Sequence, residues 1–290
     1  VRKIAMRDDF AVFILSHGRA DKIKTLHSLE KGNYTGKTFI VIDNEDETAE
    51  EYYKLYGESV LMFDKLEIAK RFDTGDNFNE RRTIVYARNA CFDLAEKLGL
   101  KYFLELDDDY KSFQFRHIKG NKLMVTECRQ LDRLFKRMID FLEESKALTV
   151  AFAQGGDFIG GANSGTFKKK LLRKAMNTFF CKTENRFNFL GRINEDVNTY
   201  TSLGSKGELL LTVTDVCITQ MQTQKNGGGM TDVYLDSGTY LKSFYSVMYS
   251  PSCVKIGVMG DSSLRIHHHV YWNNCTPKIL NERWKKQRRL

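Results

Sequence analysis

Three adjacent carboxylates, Asp107, Asp108 and Asp109, close the apolar run Tyr102-Phe103-Leu104-Glu105-Leu106. Adjacent negative charges repel, so a fold that gathers them at a strand's end calls for a compensating cation. Hard carboxylate oxygens suit Mg2+, Mn2+ or Ca2+. Asp107 and Asp109 stand two apart, so an extended backbone points both to one side. The result is an Asp-x-Asp clamp at the carboxyl end of a strand, the edge at which open α/β sheets bind ligands. A solvated acidic turn would carry the same three letters, so other residues must decide. Three consecutive histidines, His267, His268 and His269, follow Arg265-Ile266. Imidazole suits Mn2+ better than Mg2+. Neighbours on a strand face opposite ways, so the three do not all serve one ion, and His267 and His269 share a face. Asn194-Glu195-Asp196-Val197 sets two acids at the start of a predicted helix. There Asp196 can serve as a cap or as a general base.

The elements that position these groups follow from hydrophobic periodicity. Phe10–Leu15 reads as a buried strand, followed by the turn Ser16-His17-Gly18-Arg19. A helix is predicted over 21–29, a strand over 38–42 ending at Asp43, a helix over 47–56 capped by Asn44 or Asp46, and a strand over 60–63. This β-α-β-α-β alternation is a doubly wound, Rossmann-like half. The longest apolar helical face spans 80–98, with Gly99 as its stop, and leads into the acidic strand. Beyond the triplet the pattern predicts a strand over 113–116, a helix over 131–142 and a strand over 148–153. A glycine-dense loop over 155–165 precedes a helix over 167–176. Then come a helix over 194–203, a strand over 209–213, a loop at 225–229 that could hinge a lid, an aromatic helix over 240–249, and strands over 254–258 and 264–270.

The 290 residues, 42% hydrophobic, suffice for one large domain, and only Pro251 and Pro277 interrupt them. The expected organisation is one domain: residues 1–110 bind a nucleotide and residues 111–290 hold an acceptor and end in a basic tail. No apolar run reaches a membrane span, and no signal-peptide pattern opens the chain. A soluble, cytoplasmic protein with no membrane partner is expected. The six cysteines are scattered without a C-x-x-C pair, which predicts core thiols rather than disulfides or zinc. The net charge of +8 favours a polyanionic partner. Lys168, Lys169, Lys170, Arg173 and Lys174 form one basic cluster, and Arg283, Lys285, Lys286, Arg288 and Arg289 another.

A nucleotide-binding half followed by Asp-x-Asp resembles the GT-A glycosyltransferases. The fold implied is α/β, a Rossmann-like mixed sheet flanked by helices. Ala87-Arg88-Asn89 looks like a signature of such enzymes, with Arg88 on the nucleotide or its phosphates. The same resemblance puts Asp43 at the uridine or ribose, and Ser16, His17 and Arg19 in a nucleotide-facing loop. It makes Asp196 the base of an inverting enzyme and a late histidine a further metal ligand. Gly160-Gly161-Ala162-Asn163-Ser164 looks like an acceptor-side loop. The second half goes further. Gly227-Gly228-Gly229-Met230-Thr231-Asp232-Val233-Tyr234, Gly238-Thr239-Tyr240-Leu241-Lys242-Ser243-Phe244-Tyr245, Pro251-Ser252, His267-His268, Trp272 and Pro277-Lys278-Ile279-Leu280 resemble the TET/JBP-associated glycosyltransferases, many of them phage-encoded.

That resemblance implies transfer of a sugar from a UDP-sugar to the hydroxyl of a 5-hydroxymethylpyrimidine in DNA, in the host cytoplasm if phage-encoded. It favours Asp107, Asp109, His267 and His268 as ligands of Mn2+ or Mg2+, with Asp107 also at the ribose and Asp108 at sugar or protein. Phe187, Phe189, Tyr234, Tyr240, Tyr245 and Trp272 are candidates to hold an extruded base. Two other readings compete. One keeps the chemistry and moves the acceptor to a polysaccharide or protein; the other is a DNA-binding protein or Mg2+ nuclease. The sugar, the pyrimidine, the strandedness of the DNA and the oligomeric state stay open.

Overall fold

In the computed structural model of the chain, residues 5–76, 80–220, 230–259, 265–275 and 281–282 are described. The first half runs β1 (Phe10–Leu15), α1 (Lys24–Lys31), β2 (Lys37–Asp43), α2 (Ala49–Tyr56), β3 (Val60–Phe63), α3 (Lys65–Ala69), α4 (Val85–Lys97) and β4 (Tyr102–Asp107). The second runs β5 (Tyr110–Lys119), β6 (Lys122–Glu127), α5 (Leu131–Ser145), β7 (Thr149–Ala153), α6 (Gly165–Lys168), β8 (Leu171–Leu172), β9 (Thr178–Lys182), α7 (Glu195–Ser205), β10 (Leu210–Gln220), α8 (Met230–Tyr249), β11 (Val254–Met259), β12 (Arg265–Val270) and α9 (Trp272–Cys275).

One sheet has the order β3-β2-β1-β4-β9-β7-β10-β5-β6, with β8 also pairing β10. The pairs among β3, β2, β1 and β4 are parallel, while β9 lies antiparallel between β4 and β7. This is the expected α/β architecture, a mixed sheet flanked by helices. The residues of β1 are all buried because helices cover both faces. Phe10, Val12 and Ile14 face one core with Phe135 of α5. Ala11, Phe13 and Leu15 face another with Phe92 of α4. Fully burying each such ring or branched chain stabilises the fold by about 1.5–3 kcal/mol.

The register places the chemistry. Leu15 pairs with Asp107 on one side and Val41 on the other, and Asp43 pairs with Phe63. The turn after β1, the end of β2 and the acidic triplet therefore share one carboxyl edge.

Several boundaries differ from the sequence expectation. The helix predicted over 80–98 begins at Val85, because the Glu80 carboxylate takes both the backbone N–H (2.9 Å) and the guanidinium of Arg82. The helix predicted over 167–176 stops at Lys168. Lys170 adopts a left-handed φ of 63°, and Leu171-Leu172 pair with β10 instead. The predicted strand over 113–116 is one arm of a longer β5–β6 hairpin. Strand β9, absent from the expectation, fills the sheet between its halves. The loop at 225–229, the segment 277–280 and the basic C-terminal cluster lie outside the described residues. All six cysteines are buried free thiols, as expected. Among the described residues no helix is long and apolar enough to cross a membrane.

Candidate active site

The acidic turn is held from below by the first turn of α1. Thr25 donates its hydroxyl to the Asp107 carbonyl (2.5 Å) and accepts from the Tyr110 N–H (3.0 Å), while its own N–H donates to the Asp108 carbonyl (3.2 Å). One threonine thus fixes the backbone on both sides of Asp109. The Asp108 side chain turns away into the protein, accepting from Ser16 Oγ (2.7 Å) beside the Arg19 guanidinium (3.3 Å). Tyr52 completes this corner, with its hydroxyl 2.8 Å from Ser16 Oγ and accepting from the Arg19 N–H (2.9 Å).

His17 Nδ1 lies 2.9 Å from Asp43, whose other oxygen is 3.2 Å from the buried Lys65 ammonium. Burial would raise the Asp43 pKa, but His17 and Lys65 outweigh it and hold it below the usual carboxylate value. Asp46 accepts from the Gly18 N–H (2.8 Å), which pins the turn after β1.

Arg88, expected to face a nucleotide, lies beneath the site with only 1% of its side chain exposed. Its guanidinium meets Asp107 (2.9 Å), Glu195 (2.9 Å) and Glu105 (3.6 Å) and packs over the Phe179 ring. Burial opposes its charge, but these three carboxylates keep it protonated. Arg88 therefore ties the end of β4 to the start of α7. Both oxygens of Glu105 lack a hydrogen-bond partner, and burial pushes its pKa up to about 8. Glu105 therefore takes up a proton more readily than a free carboxylate, which lowers the cost of an acid-rich cluster with one cation.

At α7, Asn194 adopts a left-handed φ of 54°, a conformation asparagine tolerates. Its amide donates to the Lys242 carbonyl (2.7 Å) and Ser246 Oγ (3.2 Å) and lies 3.4 Å from His268 Nδ1. Asp196 accepts from the Val197 N–H (2.7 Å). Burial, with the neighbouring Glu195 charge, raises the Asp196 pKa to about 6.

Ser16, His17, Arg19, Asp43 and Asp108 gather around the turn after β1, while Asp107, Arg88, Asp196 and His268 lie along a line of side-chain contacts joined by backbone neighbours. That line runs from Asp107 through Arg88 to Glu195 and Asp196, then through Asn194 to His268. The rings of His267 and His268 stack at 4.3 Å. Burial, then His267 and Lys242, push the His268 pKa down to about 3, so its imidazole is neutral and free to ligate. Asp109 has no ion-pair partner among the described residues. Burial and the charges of Asp107 and Asp108 raise its pKa to about 7.

These donors, carboxylates short of a cation and a neutral imidazole, have the chemistry of a divalent-metal site. Among the described residues no three His, Cys, Asp or Glu side chains are drawn together around one point.

Of the aromatics proposed to hold a base, Phe187, Phe189 and Tyr245 are core residues. Tyr240 is exposed and packs on Phe244, Trp272 stacks on Tyr200, and the Tyr234 side chain lies outside the described residues. Thr25, Tyr52, Asp46 and Lys65 were not expected in the site from sequence. Only Asp46 carried a signal, as a helix cap after β2.

The profile of the TET-Associated Glycosyltransferase family matches residues 10–229, the span that holds every element from β1 to β10. The chain belongs to this family. It is a glycosyltransferase, and the nuclease reading falls. No curated protein matches the chain. Among solved structures, a mycobacterial protein is 10% identical with a TM-score of 0.46, over 90% of this glycosyltransferase and 83% of that chain. GalNAc-T7, crystallised with UDP, GalNAc and Mn2+, is 12% identical with a TM-score of 0.42, over 75% of this chain and 44% of its own length. Neither likeness is deep enough to transfer function.

Proposed function

We propose that this glycosyltransferase moves a sugar from a UDP-sugar to the hydroxyl of a 5-hydroxymethylpyrimidine in DNA, with inversion, in the cytoplasm of a phage-infected host. Residues 1–110 take the donor and residues 111–290 the acceptor. The observation that carries the reading is the unbroken contact chain from Asp107 through Arg88 to Glu195, which couples the nucleotide edge of the sheet to the acids of α7. The DNA acceptor rests on the late motifs and on the basic charge.

Asp43 and His17 would receive the uridine or ribose, and Ser16 and Arg19 line the same mouth beside Asp108. Asp107 and Asp109, with His267 or His268, would hold Mn2+ or Mg2+, which when bound acts as a Lewis acid on the leaving diphosphate. Asp196 takes the proton of the acceptor hydroxyl as that oxygen attacks the anomeric carbon from the face opposite UDP. Its raised pKa keeps it basic enough for that step. A hydroxymethyl group inside a duplex is out of reach of such a site, so the target base must leave the stack.

The test is incubation with hydroxymethylated DNA, Mn2+ and a panel of UDP-sugars, read by nucleoside mass spectrometry. A mass increase of one sugar on the modified nucleoside is expected. No shift with any donor, alongside transfer to a polysaccharide or protein, overturns the DNA reading.

A further inference from the structure

Ile159 is 80% exposed, more than any other large hydrophobic side chain among the described residues. An isolated surface isoleucine needs no explanation; this one sits on a loop built to hold it out. The Gln154 N–H donates to the Asp157 carboxylate (3.1 Å) and the Asp157 N–H to the Gln154 carbonyl (3.0 Å), which closes the turn that opens the loop. Asp157 is buried and ion-paired with Lys174 at 2.5 Å. On the far side Ser164 donates to the Asp157 carbonyl (3.0 Å) and accepts from the Phe167 N–H (3.2 Å), so the loop is cross-tied at its base. Phe158, immediately before Ile159, is buried against Phe167 and anchors the tip from inside. Gly160 and Gly161 follow at φ of 94° and 58°, and a Cβ on Gly161 would meet nothing within 4 Å. The backbone after Ile159 is therefore narrow and open on its outer side.

The sheet register puts this loop beside the acidic triplet. Leu104 pairs with Phe180, and Phe180 with Val150. Three residues further along β4 and β7, which point the same way, Asp107 and Ala153 stand level. They are two strand spacings apart, about 10 Å. The loop leaves the sheet at that level.

Behind it the Lys168, Lys169 and Lys170 side chains are exposed. Lys170 is paired with Asp215, but the Lys168 ammonium meets only the neutral Asn163 amide and Lys169 has no side-chain partner among the described residues. An apolar tip next to uncompensated cations is the pairing used by proteins that wedge between base steps while gripping the backbone.

We propose that Ile159 is the wedge that opens the duplex: it enters the base stack as the target nucleotide swings out toward Asp196, and Lys168 and Lys169 hold the flanking phosphates. This rests on the DNA reading above. The wedge fills the space the base vacates, so it matters only where stacking and pairing must be broken. It is a positioning residue and touches no reacting atom.

The test compares wild type, Ile159→Ser and Ile159→Leu on one oligonucleotide bearing a single hydroxymethylated base, given as single strand, as duplex, and as duplex with an abasic site opposite the target. With no wedge to offset unstacking, Ile159→Ser should lower the duplex-to-single-strand ratio of kcat/KM about tenfold or more. The abasic partner should restore the ratio, and Ile159→Leu should keep it. With 2-aminopurine beside the target, wild type should brighten on binding duplex and Ile159→Ser should not. An unchanged ratio with Ile159→Ser overturns the wedge, as does wild type that acts on single strands alone. If wild type glycosylates neither DNA form, the DNA reading fails and the wedge with it.

Discussion

At the scale of single residues, Asp196 bears the sharpest expectation. Burial and Glu195 lift its pKa to about 6. Below that pH the carboxyl already carries a proton and cannot accept another; above it the carboxylate is available. Turnover should therefore rise with pH through about 6 and then level off. A kcat profile flat from about pH 5 to about pH 8 would remove Asp196 as the base. Asp196→Asn should cost about 10²–10⁴-fold in kcat while UDP-sugar binding, read by calorimetry, persists. The acids of the site were legible in sequence because consecutive charges after an apolar run have few structural uses. Their supports were not. Thr25 and Tyr52 lie far from the triplet in sequence, and nothing local marks either as its partner.

At the scale of elements, α1 does more than cover the sheet. Its first turn carries Thr25, which is wholly buried and makes three hydrogen bonds around Asp107–Tyr110. Thr25→Val keeps the shape and removes the hydroxyl, leaving buried groups unpaired at a cost of about 1–3 kcal/mol. The expected signature is a lower urea midpoint with weaker UDP-sugar affinity, because the triplet's backbone loosens. Unchanged donor affinity would separate the turn from donor binding. The βα units of the first half were legible because apolar runs of strand length alternate with amphipathic helices. The second half was less so. Leu171-Leu172 continues a helical pattern and is captured by β10 through tertiary pairing. Strand β9 is five residues with no turn signal beyond Asn177, whose left-handed φ of 61° marks its start only in the fold.

At the scale of the whole molecule, the +8 charge is not spread evenly. The acids of the site are buried or half-buried, while Lys168 and Lys169 are exposed. Each phosphate a lysine neutralises on duplex DNA contributes about −0.9 to the slope of log affinity against log salt. Replacing both lysines by glutamine should therefore flatten that slope by about 2. A slope unchanged in fluorescence-anisotropy titrations would place the DNA elsewhere on the surface.

Strand β9 has a consequence for synthesis. When β4 leaves the ribosome, β1, β2 and β3 can already pair beside it, but its other edge must wait for Thr178–Lys182. The nascent chain presents an apolar strand edge, Phe103 and Leu104 among its residues, through the making of the β5–β6 hairpin, α5 and β7. Such edges invite pairing with other chains. The seam between the two halves of the central sheet closes only when β9 arrives, before β10 joins β7 to β5, so mutations in β9 should tell on yield before they tell on rate.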